Sequence, residues 1–126
     1  MLRHYTYKFG ISISSKTIIG KGFYIGHFGG IVVNSATVFG DNVNISQGVC
    51  FGQSNRGEKK GCAVVGNCVY VGPGAKIVGN VHIGNNVAIG ANAVVTKDIP
   101  DNAVVAGVPA KILSYNGSEG YINRKV

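Results

Sequence analysis

One histidine in this sequence stands where it could do chemistry. His27 lies in Gly26-His27-Phe28-Gly29-Gly30, so little side-chain bulk would keep a ligand from its ring. An imidazole titrates near neutral pH and can accept a proton from a hydroxyl as that hydroxyl attacks an electrophile. The competing reading of a lone histidine is a ring that fills a turn. His4 reads as a terminal surface residue, and His82, in the regular run Val81-His82-Ile83-Gly84, as surface or interface. A second polar group is the stretch Gln53-Ser54-Asn55-Arg56-Gly57-Glu58-Lys59-Lys60-Gly61-Cys62. Its amides and guanidinium can hydrogen-bond a small molecule; the plainer reading is a solvated loop. Cys50, Cys62 and Cys68 lack the close Cys-x-x-Cys pairs of common zinc sites, and no metal is expected. Cys62 reads as a small filler, because only Lys59 and Lys60 are near in sequence to stabilise a thiolate. The odd cysteine count, with no secretory leader at Met1-Leu2-Arg3-His4, gives the expectation of a reducing cytoplasm.

The elements that position these groups must be unusual, because the composition is. The 126 residues are one domain's length and include 20 glycines. Charged residues make up 13%, about half the usual ~25% share, while the hydrophobic share is 45%. That balance excludes disorder of the low-hydrophobicity, high-charge kind. No apolar run approaches the ~18 residues of a membrane helix, so no membrane insertion is expected. The glycines do not recur every third residue, which excludes collagen. The net charge is +7, from 12 Lys and Arg against 5 Asp and Glu, and favours anionic ligands. The basic residues are scattered, the densest group being Arg56, Lys59 and Lys60 around Glu58, and no nucleic-acid partner is expected.

Large apolar residues recur at intervals of six. Ile13, Ile19, Ile25 and Ile31 are followed, after a shift of two, by Val33, Phe39, Ile45 and Phe51. After a longer gap come Val65, Val71, Ile77, Ile83, Ile89 and Val95. Glycine often follows directly, at Gly20, Gly26, Gly40, Gly52, Gly66, Gly72, Gly84 and Gly90, and a smaller residue such as Thr37, Val49, Ala75 or Ala93 stands four places on. A helix repeats every three to four residues and a strand every two, so neither alone explains six. A short strand plus a sharp corner does. Three such sides close a coil of about eighteen residues, with the large residue inward, and Gly and Asn tolerating the corner angles. This predicts an all-β parallel β-helix of hexapeptide repeats, about five coils in all. Its stability is then roughly a sum of nearest-neighbour terms. The rhythm breaks at residues 26–30 and 53–62, and breaks on a regular scaffold are where function concentrates.

The repeat and its breaks resemble the hexapeptide acyltransferases, and most closely the serine acetyltransferase group. Three stretches carry the likeness: Ile18 to Val33, which includes Gly26-His27-Phe28-Gly29-Gly30; Asp41 to Val49; and Ala88 to Pro100, followed by Val105-Ala106-Gly107-Val108-Pro109-Ala110-Lys111. The resemblance implies a left-handed β-helix, a homotrimer, and active sites between subunits with acetyl-CoA as co-substrate along the seam. His27 matches the histidine of the family's Asp-His-x-x-Gly stretch. It would be the general base on a small-molecule hydroxyl acceptor that attacks the thioester directly. The cofactor positions would be Pro73, Gly90 and Ala91, with Lys97 and Lys111 near the phosphates. Asn34 would face the seam near His27 and orient an acceptor, or else turn a corner.

The departures from the family are specific. Its serine-binding Asp before the histidine is Gly26 here, the Asp that orients the imidazole falls on Ser12, and its Arg-His pair falls on Gly61 and Cys62. The helical domain of full serine acetyltransferases has no counterpart in these residues, which open at Leu2-Arg3-His4-Tyr5-Thr6-Tyr7. The groups that hold a zwitterionic amino acid are thus largely lost. The favoured expectation is therefore an O-acetyltransferase acting on a sugar hydroxyl in surface-polysaccharide synthesis, with Asn34, Gln53, Asn55 and Arg56 binding the acceptor. A serine O-acetyltransferase is the alternative, and a non-catalytic β-helix scaffold the second. The expected division is a lead-in at 1–10, a β-helix at 11–113 and a tail at 114–126 that packs across a neighbour or is disordered.

Overall fold

The computed structural model describes residues 10–27, 29–55, 57 and 60–122. Among them the chain winds through three sheets, one strand per side of each coil. The first sheet stacks β1 (Ile11–Ile13), β4 (Ile31–Val33), β7 (Cys50–Gly52), β10 (Lys76–Val78) and β13 (Val94–Val95). The second stacks β2 (Ile18–Ile19), β5 (Val38–Phe39), β8 (Val64–Val65) and β11 (His82–Ile83). The third stacks β3 (Tyr24–Ile25), β6 (Asn44–Ile45), β9 (Tyr70–Val71), β12 (Ala88–Ile89), β14 (Val104–Ala106) and β15 (Lys111–Ser114). All pairings are parallel except β14 with β15. The all-β parallel solenoid of about five coils expected from the period of six is the observed architecture.

The inward residues stack as the repeat requires. Ile13, Val33, Phe51, Ile77 and Val95 share one register and are all buried. Burying each such side chain stabilises the coil by about 1.5–3 kcal/mol. Phe39 packs between Phe23 and Phe51, with ring centroids 5.2 Å and 5.0 Å away. Ile31 is buried but lies level with Ile11, two residues ahead of Val33 on the same strand. Ile19 departs from expectation: it is 36% exposed, because β2 is an edge strand with a neighbour on one side only. The rhythm also continues beyond Val95. Ile99 bridges to Ile83, and Val105 pairs with Ile89.

Coil length is recorded by a ladder down the corner between the second and third sheets. Backbone N–H groups of Lys21, Asp41, Asn67 and Asn85 donate to the Oδ1 atoms of Asp41, Asn67, Asn85 and Asp101, at 2.9, 2.7, 2.8 and 2.7 Å. The rungs are 20, 26, 18 and 16 residues apart. The first break thus adds two residues to a coil, the second adds eight, and the last coil is two short.

The glycines after inward residues serve a different purpose from the one expected. None of Gly20, Gly40, Gly66, Gly72, Gly84 and Gly90 has a positive φ. They are small because the next coil fills the space of a Cβ: a ladder oxygen at Gly20, Gly40, Gly66 and Gly84, and backbone at Gly72. The left-handed angles fall two residues later, on Gly22, Asn42, Cys68, Asn86 and Asn102 at this same corner.

The tail is described through Ile122. After β15 it runs back along the chain's own coils. The buried Ser118 hydroxyl lies 2.7 Å from the Cys68 carbonyl and 2.8 Å from Asn86 Oδ1, and Ile122 is buried.

Candidate active site

The corner from the third sheet to the first carries His27. This corner is a column of backbone bonds: Gly48 N–H donates to the Gly29 carbonyl at 2.7 Å, Gly74 N–H to Gln47 at 2.9 Å, and Asn92 N–H to Pro73 at 2.8 Å. His27, Pro73, Gly90 and Ala91 therefore stand on one edge of the solenoid, with the histidine on the first coil. His27 and Ala91 are exposed; Pro73 and Gly90 are half-buried. A contributor not singled out in the sequence is Lys76. Its ammonium donates to the Gly48 and Gly74 carbonyls at 2.8 and 2.9 Å and braces this edge. Its place directly after Ala75 in a regular hexapeptide was the available signal.

Lys97 and Lys111 come together although they are distant in sequence. They line one cleft of about 120 Å³ with Val95, Thr96, Ile99, Pro109 and Ala110, at the last coil. Two exposed ammonium groups beside an apolar floor suit an anionic group attached to an apolar one.

The expected acceptor residues sit elsewhere. Asn34 Nδ2 lies 3.4 Å from Gln53 Oε1, and Gln53 Nε2 donates to Asn55 Oδ1 at 2.9 Å. Ser54 and Gly61 close the base of the loop with two backbone bonds of 3.0 and 2.8 Å. Arg56 lies outside the described residues, as does Phe28. This cluster is on the corner between the first and second sheets. Asn34 is thus not beside His27 within one chain: β4 separates them, a width of about 10 Å at ~3.3 Å per residue. Asn34 also turns its own corner, its Oδ1 accepting from Ala36 N–H at 3.0 Å.

The positions that depart from the family are now placed. Ser12 is exposed on the outer face of β1, opposite Val32. Gly26 donates its N–H to the Ile45 carbonyl at 2.8 Å. Its φ is not positive, and a Cβ there would make only ordinary contacts, with Ile45 O at 3.6 Å and Tyr24 Cε2 at 3.7 Å. The fold therefore does not demand glycine at this position, unlike Gly20, Gly40 or Gly66. Cys62 is buried and burial pushes its thiol pKa up, which fits a filler. His82 is exposed on β11, its Nδ1 3.9 Å from Asp98 Oδ1.

Beside Gly26, on the outer face of the third sheet, a cleft of about 320 Å³ is lined by Tyr24, Gly26, Asn44, Ile45, Ser46, Tyr70 and Tyr121. Tyr24, Asn44 and Tyr70 share one register, each just before an inward residue, so their common outward face was legible in the repeat. Tyr121 was not, because it comes from the tail. Among the described residues no group of three or more His, Cys, Asp or Glu is placed to hold a metal ion. Among the described residues no helix is long and apolar enough to cross a membrane.

Comparison with known proteins agrees with the repeat and the solenoid. The family model for the bacterial transferase hexapeptide (six repeats) matches residues 62–97. A serine acetyltransferase of Synechococcus elongatus is 37% identical over 108 residues, covering 86% of this chain and 44% of the relative. One from Staphylococcus aureus strain Mu50 is 39% identical over 108 residues, covering 86% and 51%. The solved serine acetyltransferase of Brucella abortus strain S19 in complex with coenzyme A superimposes with a TM-score of 0.83 at 36% identity. It covers 89% of this chain and 45% of the other. The chain spans about half the length of the curated relatives it matches.

Proposed function

We propose that this chain, a hexapeptide-repeat relative of the serine acetyltransferases, is an acetyl-CoA-dependent O-acetyltransferase. The observation that carries the reading is the shared edge of His27, Pro73, Gly90 and Ala91, together with the Lys97–Lys111 cleft at the last coil. When bound, acetyl-CoA supplies a thioester carbonyl for attack. His27 takes the proton from the acceptor hydroxyl as its oxygen bonds to that carbon. It then returns the proton to the departing sulfur, so ester and free thiol form and the base is restored. Pro73, Gly90 and Ala91 offer open backbone along the donor's path, and Lys97 and Lys111 suit its phosphates.

The two halves of the predicted site lie on different edges of one chain. This supports a trimer in which the Asn34 and Gln53 edge of a second copy faces His27, wound left-handed as in the family. The reaction belongs in the cytoplasm, where acetyl-CoA is available.

The relatives support serine as acceptor better than a sugar. The expectation of surface-polysaccharide synthesis has no support among them. One observation favours a second reading, a hydroxyl on a neutral molecule: Gly26 leaves open space where the family has the carboxylate that serves serine.

The test is a screen of L-serine and simple glycosides with acetyl-CoA, followed by release of free thiol. Turnover of serine supports the first reading and of a glycoside the second. No turnover, with no binding of CoA by calorimetry, would leave only a scaffold.

A further inference from the structure

The cleft on the third sheet is not used by the base or by the donor column. Three tyrosines wall it, and none of its lining residues is charged: Tyr24, Gly26, Asn44, Ile45, Ser46, Tyr70 and Tyr121. Its size, about 320 Å³, falls at the lower end of the ~300–1,000 Å³ range of small-ligand sites.

Two features point to a ligand. The first is that the cleft's outer wall is built and held. The Tyr70 and Tyr121 rings lie with centroids 5.2 Å apart at 30°. Tyr121 is brought there by the tail, which is fastened by Ser118 and by the Gly117 N–H bond to Asn102 at 2.9 Å. The second is unspent polarity. Ser46 is 8% exposed, lines the cleft, and its hydroxyl has no hydrogen-bond partner among the described residues. Asn44 is 6% exposed, and its side chain makes only a long 3.4 Å bond to the Asn42 carbonyl. A hydroxylated ligand can hydrogen-bond both groups. Gly26 forms the rim toward His27 and keeps the passage open although the fold does not require a glycine there.

We infer that this cleft binds a neutral, hydroxyl-bearing ring, a pyranoside, as an acceptor subsite. The apolar C–H face of such a ring lies on tyrosine faces, its hydroxyls reach Ser46 and Asn44, and one hydroxyl turns over Gly26 toward His27. A free zwitterionic amino acid finds no opposite charge in this lining and would leave three aromatic rings uncontacted. The inference deepens the neutral-acceptor reading of the transferase, but ring binding itself does not depend on acetyl transfer.

The experiment is an NMR titration of the full chain, without CoA, using methyl β-D-glucopyranoside, methyl β-D-galactopyranoside, methyl N-acetyl-β-D-glucosaminide and L-serine. The expected result is saturable perturbation of tyrosine ring signals by at least one glycoside. Tyr121→Ala and Ser46→Ala should each weaken it, the former about tenfold. Tyr115→Ala, an exposed tyrosine outside the cleft, should leave it unchanged. Absence of perturbation by every glycoside, equal affinity in Tyr121→Ala, or serine displacing a glycoside from these signals would overturn the inference. Calorimetry with CoA on the same samples separates the two claims. Failure of glycosides while CoA binds removes the cleft alone; failure of CoA while a glycoside binds removes the transferase reading and leaves the cleft.

Discussion

The side-chain oxygen of Asn85 stands where Gly66 would need a β-carbon; the two would be 2.5 Å apart. That oxygen accepts the Asn67 N–H at 2.8 Å, so it cannot step aside without breaking a rung of the ladder. Gly66→Ala should therefore destabilise the chain by about 1–3 kcal/mol, the usual cost of overpacking. Gly26→Ala, whose new methyl meets only ordinary contacts, should change stability by no more than about 0.5 kcal/mol. Urea unfolding midpoints of the two variants check the contrast. Equal losses would mean that glycine at this repeat position is needed for a reason other than space.

Cys68 holds a left-handed backbone, φ 57°, at a corner where other coils place Gly22, Asn42, Asn86 and Asn102. A residue with a Cβ pays about 1–2 kcal/mol there, and asparagine recovers part of it by local hydrogen bonding. Cys68→Asn should raise the unfolding midpoint. The Ser118 bond is made to the backbone carbonyl of Cys68, so this substitution leaves it intact. A lower midpoint would show that the thiol packs in a way the corner needs.

Burial pushes the Cys62 pKa up. The unfolded thiol ionises near the ordinary value of about 8.5, so the unfolded state releases its proton first as pH rises. Stability is then unaffected by this group well below that pH and falls above it, until the folded pKa is passed. Comparing alkaline unfolding of the parent with Cys62→Ala isolates the effect, since other groups titrate in both. The variant should show the shallower loss; identical slopes would mean that Cys62 is more accessible than its place suggests.

Lys97 and Lys111 meet in one cleft at the last coil. If they bind the donor's phosphates, changing both to alanine should raise KM for acetyl-CoA by about tenfold, with kcat little altered, and weaken the salt dependence of binding. An unchanged KM would assign both lysines to ordinary surface.

The period of six made the solenoid and its inward residues legible, because each coil repeats the same inward and corner positions. The corner glycines were legible as positions but not in purpose: whether a neighbouring coil fills the space of a Cβ depends on stacking, which no single coil records. His27 and Asn34 stand at opposite ends of β4, on successive corners of the coil. Cys68 is a corner residue of the repeat, at a left-handed backbone angle. Lys97 and Lys111 were expected near one ligand and do share a cleft. Tyr121 lay beyond the repeat, in a tail whose course along its own coils depends on Ser118, and no periodicity points to that residue.

The central claim is that His27 removes the acceptor's proton, and thiol release from acetyl-CoA in the presence of acceptor tests it most directly. The parent should release thiol only when acceptor is present. His27→Ala should lose about two to four orders of magnitude in rate, the usual span of general-base catalysis, while binding CoA as tightly and keeping the same assembly by light scattering. Thiol release by His27→Ala at the parent's rate would contradict the account.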